Sequence, residues 1–173
     1  PRFASRVAWA RPSSHFLERV GVASAVPLRS FAAGDSIPVF SRHLMENNRI
    51  NSDEIIKDVK KKVKNALREG EPIDYLTFVP DGEPTLDANI GLEIDRLKTL
   101  GIKVAVITNG SLIYRDDVRE DLMKADWVSL KFDSILKRSW RKINRPHRHL
   151  ELDLILKGML DFSKIFKGKL VTE

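Results

Sequence analysis

Three short segments place polar residues directly after apolar runs. Asp81-Gly82-Glu83-Pro84-Thr85 follows Ile73 to Val79, Thr108-Asn109-Gly110-Ser111 follows Lys103 to Ile107, and Ser129, Lys131, Asp133 and Ser134 lie in and after Trp127 to Phe132. Gly82 allows a sharp turn or a close backbone approach to a ligand. Pro84 stiffens the exit and holds Glu83 toward an extended backbone. Such a bend exposes strand-end carbonyls as acceptors for an ammonium group, with Glu83 adding negative charge. Taken singly, each segment also reads as ordinary structure: a tight turn with an exposed acid, a Thr-Asn-Gly-Ser turn, a packed serine in a strand. Their convergence on one rim favours a ligand site. Asp81, Glu83 and Asp133 could instead hold a divalent cation such as Mg²⁺. Against that, the chain has no GxxxxGK or GxGxxG loop.

A second group is basic. Lys131, Lys137, Arg138, Arg141, Lys142, Arg145 and Arg148 surround Trp140, His147 and His149, and Asp133 is the only acid from Lys131 to His149. Cations with an aromatic among them suit RNA phosphates, and Lys131, Arg141, Asn144, Arg145 and His147 are the candidate contacts. A solvated helix face is the competing reading.

The elements that must position these residues alternate in type. Asn51 or Ser52 caps a helix whose apolar face is Ile55, Ile56, Val59, Val63, Ala66 and Leu67, with Gly70 as its stop. A strand over 73–79 follows, then a helix marked by Ile90, Ile94, Leu97 and Leu100 and closed by Gly101. A strand over 103–108, a short helix over 116–125, a strand over 127–132, a helix over 150–166 and a strand opening at "GKLVTE" complete the order. Such alternation forces crossovers, so the fold class is α/β with a parallel sheet and helices packed outside. Ligands in such sheets gather beyond the carboxyl ends of strands, where the polar segments fall.

Residues 1–50 have a different composition. They hold seven Arg, three acids and no Lys, whereas residues 51–173 are nearly balanced in charge despite a net charge of +6 for the whole chain of 173. No sustained period of 2 or 3.6 runs through them. An organelle leader, a disordered arm and an out-of-frame translation compete. No apolar run approaches the roughly 20 residues needed to cross a bilayer, and a cytoplasmic location is expected. The complete absence of cysteine excludes disulfides, thiolate zinc and cysteine-held clusters.

"FVPDGEPTL", "VAVITNGSL", "ADWVSLKFDS", "WRKINRPH" and "FKGKLVTE", in this order and spacing, resemble the radical S-adenosylmethionine (SAM) superfamily, in particular Fe–S oxidoreductases akin to wybutosine-pathway tRNA enzymes. The resemblance covers residues 47–173. It implies a parallel-stranded, partial (β/α)₆ TIM-like barrel, incomplete here and preceded by an irregular segment, 1–46. It implies that Gly82, Glu83, Pro84 and Thr85 receive the methionyl ammonium of SAM and that Asn109 and Ser129 approach its methionine or ribose parts. It also implies a [4Fe–4S] cluster held by three cysteines of a CxxxCxxC loop, its fourth iron chelated by the amino and carboxylate groups of SAM, with one electron from the cluster breaking a carbon–sulfur bond to release a 5′-deoxyadenosyl radical. That loop should fall within residues 1–50, which contain no cysteine and no segment that resembles the family's first strand.

This departure sets the functional expectation. The chain reads as a radical SAM core fragment of an oxidoreductase-like enzyme, itself inactive because it cannot ligate the cluster. No residue takes a catalytic or metal-ligating role. The preferred explanation is that residues 1 to about 46 are a frame-shifted or mispredicted start. A non-catalytic SAM- or nucleoside-binding module and a non-functional truncated product are the alternatives. SAM is the expected partner and RNA a candidate substrate.

Overall fold

In the computed structural model the described residues are 6–10, 52–70, 72–79 and 83–172. Helix α1 spans Ser52–Arg68 and ends at Gly70, whose φ of 73° is the left-handed conformation that terminates a helix without a Cβ penalty. Ser52 is its first helical residue; the alternative cap, Asn51, lies outside the described residues. Strand β2 (Tyr75–Val79) leads through a single 3₁₀ turn (Pro84–Leu86) into α2 (Ile90–Lys98). Then come β3 (Lys103–Thr108), α3 (Asp116–Leu122), β4 (Trp127–Leu130), α4 (Lys137–Asn144), α5 (Leu152–Ile165) and β5 (Lys169–Thr172). The expected alternation is present, with α3 shorter than the apolar pattern suggests and the basic segment folded as α4.

The sheet order is β1-β2-β3-β4-β5. Strands β2 to β5 are parallel, with Thr77 opposite Ala105, Ala105 opposite Trp127, Ile107 opposite Ser129 and Ser129 opposite Val171. Residues 1–50, in which the sequence shows no sustained period, do supply one strand: Arg6–Ala10 form β1, paired antiparallel to β2. Five residues are too few to register as a period, and the pairing is supplied by the open edge of β2. Being antiparallel, β1 does not provide the parallel strand that a β/α crossover through α1 would require. The segment 11–50 lies outside the described residues.

Alternation along the strands sorts the sheet into two faces. Leu76, Phe78, Val104, Val106, Val128 and Leu130 join one buried cluster with Ile56, Val63, Ile90, Ile94, Leu97, Leu152 and Phe162 from the helices. Each such side chain contributes roughly 1.5–3 kcal/mol on burial. The opposite face carries Thr77, Ala105, Trp127 and Ser129, all buried yet outside that cluster. Helix packing is close where glycine permits it. A Cβ on Gly158 of α5 would lie 2.6 Å from the Ile113 carbonyl oxygen and 2.7 Å from the Tyr114 backbone.

One buried residue breaks the pattern. Glu93 on α2 is fully buried, and neither carboxylate oxygen has a hydrogen-bond partner among the described residues. Burial, and secondarily the Asp87 carboxylate, push its pKa up to about 7; the nearby Ser52 hydroxyl and Arg96 offset this only in part. Among the described residues no helix is long and apolar enough to cross a membrane.

Candidate functional site

The turn after β2 is organised by one carboxylate. Glu83 has extended backbone angles (φ −114°, ψ 115°), as expected of a residue before proline, and caps the 3₁₀ turn that Pro84 begins. Its Oε1 accepts hydrogen bonds from the Thr85 backbone N–H (3.1 Å), from Thr85 Oγ1 (2.7 Å) and from Thr108 Oγ1. Its Oε2 accepts from the Asn109 backbone N–H at 2.8 Å. Four donors from two segments 25 residues apart thus converge on one side chain. Most of the Glu83 carboxylate lone pairs are thus spent fastening the exit of β2 to the end of β3.

The end of β3 is fixed in turn. Thr108 Oγ1 accepts from the Gly110 N–H (3.0 Å), and Asn109 Oδ1 accepts from the Ser111 N–H (2.8 Å), closing an Asx turn. Gly110 has φ 68°, and a Cβ there would meet Met159 Cε at 2.6 Å. The Thr108 carbonyl accepts from Lys131 N–H at 2.9 Å, carrying the link to the exit of β4. The three polar segments therefore share one rim. Thr108, a strand-end residue in the sequence reading, is the hinge between them. Its hydroxyl and carbonyl reach two different neighbours, which sequence spacing alone does not reveal.

The rim brings together Glu83, Pro84, Thr85 and Asn109. Pro84 and Thr85 are buried and Asn109 is exposed. Gly82, with Pro80 and Asp81, lies outside the described residues. Ser129 is 1% exposed on the face of the sheet away from the helices, opposite Ile107. It sits one residue before the end of β4, within the sheet rather than on the turn.

Beyond β4 a second cluster begins. Asp133 Oδ2 accepts from Asn144 Nδ2, and Lys131 Nζ lies 3.9 Å from Asp133 Oδ1. This joins the strand exit to the last residue of α4. Arg145 then adopts φ 45°, ψ 53°, making it the one non-glycine residue with positive φ among those described. A left-handed arginine before Pro146 costs roughly 1–2 kcal/mol. His147 Nδ1 faces the His149 N–H at 3.4 Å, and the two rings meet edge-on at 5.0 Å. Lys137 pairs with Glu151. Arg138, Arg141, Lys142, Arg145 and Arg148 are exposed and form no ion pair among the described residues. Trp140, expected among the cations, is instead buried in the core.

A groove of about 490 Å³ lined by Lys60, Val63, Lys64, Leu67, Arg68 and Leu100 lies at the carboxyl ends of α1 and α2. In a parallel crossover fold these helix ends lie away from the strand-end rim, so the groove is not part of the site. The residues present do not suit an iron–sulfur cluster. The chain has no cysteine, and no group of three or more His, Asp or Glu that could hold a metal occurs among the described residues.

The family model of the radical SAM superfamily matches residues 39–171, beginning ahead of residue 47, where the sequence pattern changes. A UPF0026 protein of Methanocaldococcus jannaschii is 50% identical over 121 residues, covering 70% of this chain and 37% of that protein. A protein of Brachyspira hyodysenteriae named GTPase Obg is 36% identical over 123 residues, 70% of this chain but 18% of that protein. An S-adenosylmethionine-dependent nucleotide dehydratase of a Thermoplasmatales archaeon is 32% identical over 99 residues, covering 51% of this chain and 36% of that protein. The chain thus spans well under half the length of these curated relatives.

Proposed function

Since this chain belongs to the radical SAM superfamily, we propose that its strand-end rim is the SAM-binding wall of an Fe–S oxidoreductase-like enzyme and that the chain as written binds SAM without cleaving it. In intact members of the family SAM is used together with a [4Fe–4S] cluster. This chain provides none of the thiolates that such a cluster requires.

The observation that carries the reading is the Glu83 junction. Four hydrogen bonds hold the β2 and β3 exits in one arrangement before any ligand arrives. Preorganised rims bind with less ordering cost. Asn109, held by Glu83 through its N–H, and Ser129 on the face of the sheet away from the helices are proposed to meet the methionine or ribose parts. Gly82 and Pro84 are proposed, with Glu83 and Thr85, to belong to the segment that receives the ammonium. The barrel is proposed to be of the (β/α)₆ type, with residues 1–46 a separate, atypical segment, and the protein is proposed to act in the cytoplasm. Titration calorimetry with SAM tests the reading: saturable heat is expected, and no binding at millimolar SAM would refute it.

For the substrate, a nucleotide or an RNA suits the exposed cations of α4 and its following loop. A relative's name specifies a nucleotide, and the basic side chains Arg141 and Arg145, with Lys131, Asn144 and His147 nearby, suit phosphate. Filter binding of tRNA over a salt series separates the two. Affinity falling steeply with salt, and a slope reduced by about 1 in Arg141→Ala, favours RNA; salt-independent retention or none refutes it.

A further inference from the structure

The face of the sheet turned away from the helices contains a polar group that the rim does not use. Thr77 is 3% exposed, and among the described residues its Oγ1 has no hydrogen-bond partner. In the backbone register it is paired with Ala105 of β3 and with Ala8 of β1, a residue type without a hydrogen-bonding side-chain atom. Toward the amino ends of the strands this face is filled. The Tyr75 and Trp127 rings lie 6.2 Å apart, and Lys103 Nζ is 5.9 Å from the Tyr75 ring centre. Toward the carboxyl ends, Val79, Ile107 and Ser129 follow. Two residues of strand, roughly 7 Å, separate Thr77 from the last residue of β2, whose exit leads to the Glu83 junction.

Buried hydroxyls are almost always partnered, and one left alone destabilises the empty protein. A Val would fill the same space with no such penalty. From this we infer that Thr77 is a ligand-facing group: its hydroxyl, both donor and acceptor, hydrogen-bonds a nucleoside that enters from the rim above it. The nucleoside is either the adenosyl part of SAM or that of a nucleotide. This rests on the proposed SAM-binding reading of the rim and adds a position one layer deeper than Ser129.

The proposal has a crossed signature. Thr77→Val should leave the ligand-free chain as stable as, or more stable than, the unsubstituted one, while weakening nucleoside binding about tenfold. Thr77→Ser, which keeps the hydroxyl, should bind within about threefold of the original. Thermal melts measure the first, and calorimetry with SAM and separately with adenosine monophosphate measures the second. Weakening with both probes assigns the bond to the shared adenosine; weakening with SAM alone assigns it to SAM's own pose. Equal affinity of Thr77→Val and the unsubstituted chain for both probes overturns the proposal while leaving the rim reading intact. So does a clear loss of ligand-free stability in Thr77→Val, which would mean that the hydroxyl serves the fold. No binding of either probe by the unsubstituted chain overturns both readings.

Discussion

Replacing Glu93 by Gln tests whether the core pays for a buried charge. The carboxyl is fully buried, its oxygens lack hydrogen-bond partners among the described residues, and its pKa rises from the ordinary 4.5 to about 7 through burial first and Asp87 second. The sign follows from proton uptake. Below 4.5 the group is protonated in both folded and unfolded chains and costs nothing by this route. Between 4.5 and 7 the folded chain holds the proton that the unfolded chain has released, so stability falls as pH rises. Above 7 both are ionised and the loss is complete. At roughly 1.4 kcal/mol per pH unit the full loss is up to about 3 kcal/mol. For a chain of this size that is roughly 6–12 °C in Tm. Glu93→Gln removes the titration. Melting both proteins from pH 4 to pH 8 should give a variant that is no more stable at pH 4 and clearly more stable at pH 8, with the gap opening between 4.5 and 7. Taking the difference cancels the other titrating groups. A gap that stays constant across this range would refute the reasoning.

Two further substitutions probe the scaffold. Glu83→Ala strands the Thr85, Thr108 and Asn109 donors and should cost about 1–3 kcal/mol in urea melts while abolishing SAM binding; Glu83→Gln, still an acceptor, should retain most of the stability. Gly158→Ala forces a Cβ to within 2.6–2.7 Å of the Ile113 and Tyr114 backbone and should lower stability by about 1–3 kcal/mol, whereas Ala at the open position Gly101 would be opposed only by its φ of 73°.

Much of this architecture was legible because it depends on period. The apolar stripe of α1, the continuous run of β3 and the glycine stops at Gly70 and Gly101 are local signals. The site was legible only as an address. Strand ends rich in Asp, Asn, Gly and Ser marked where a rim would lie, but not that Glu83 would turn inward to bind Thr108 and Asn109. A contact 25 residues away in sequence depends on strand register, and register is a property of the sheet. Thr77 was invisible for the same reason: a threonine in a strand is ordinary until both neighbours across the ladder prove to be alanines. Residues 6–10 were missed because five residues carry no period and their partner strand lies about 70 residues away. The burial of Trp140, expected among exposed cations, reflects a helix whose one apolar contact points to the core.

The central claim is that the family's SAM-binding wall persists in a chain unable to grip the iron–sulfur centre. Anaerobic reconstitution with ferrous iron and sulfide, followed by dithionite and SAM, measures it in one experiment. The account predicts a colourless protein with no retained acid-labile sulfide and no 5′-deoxyadenosine above a protein-free blank. Sulfide retained in stoichiometric amount, with 5′-deoxyadenosine and methionine formed, would contradict it.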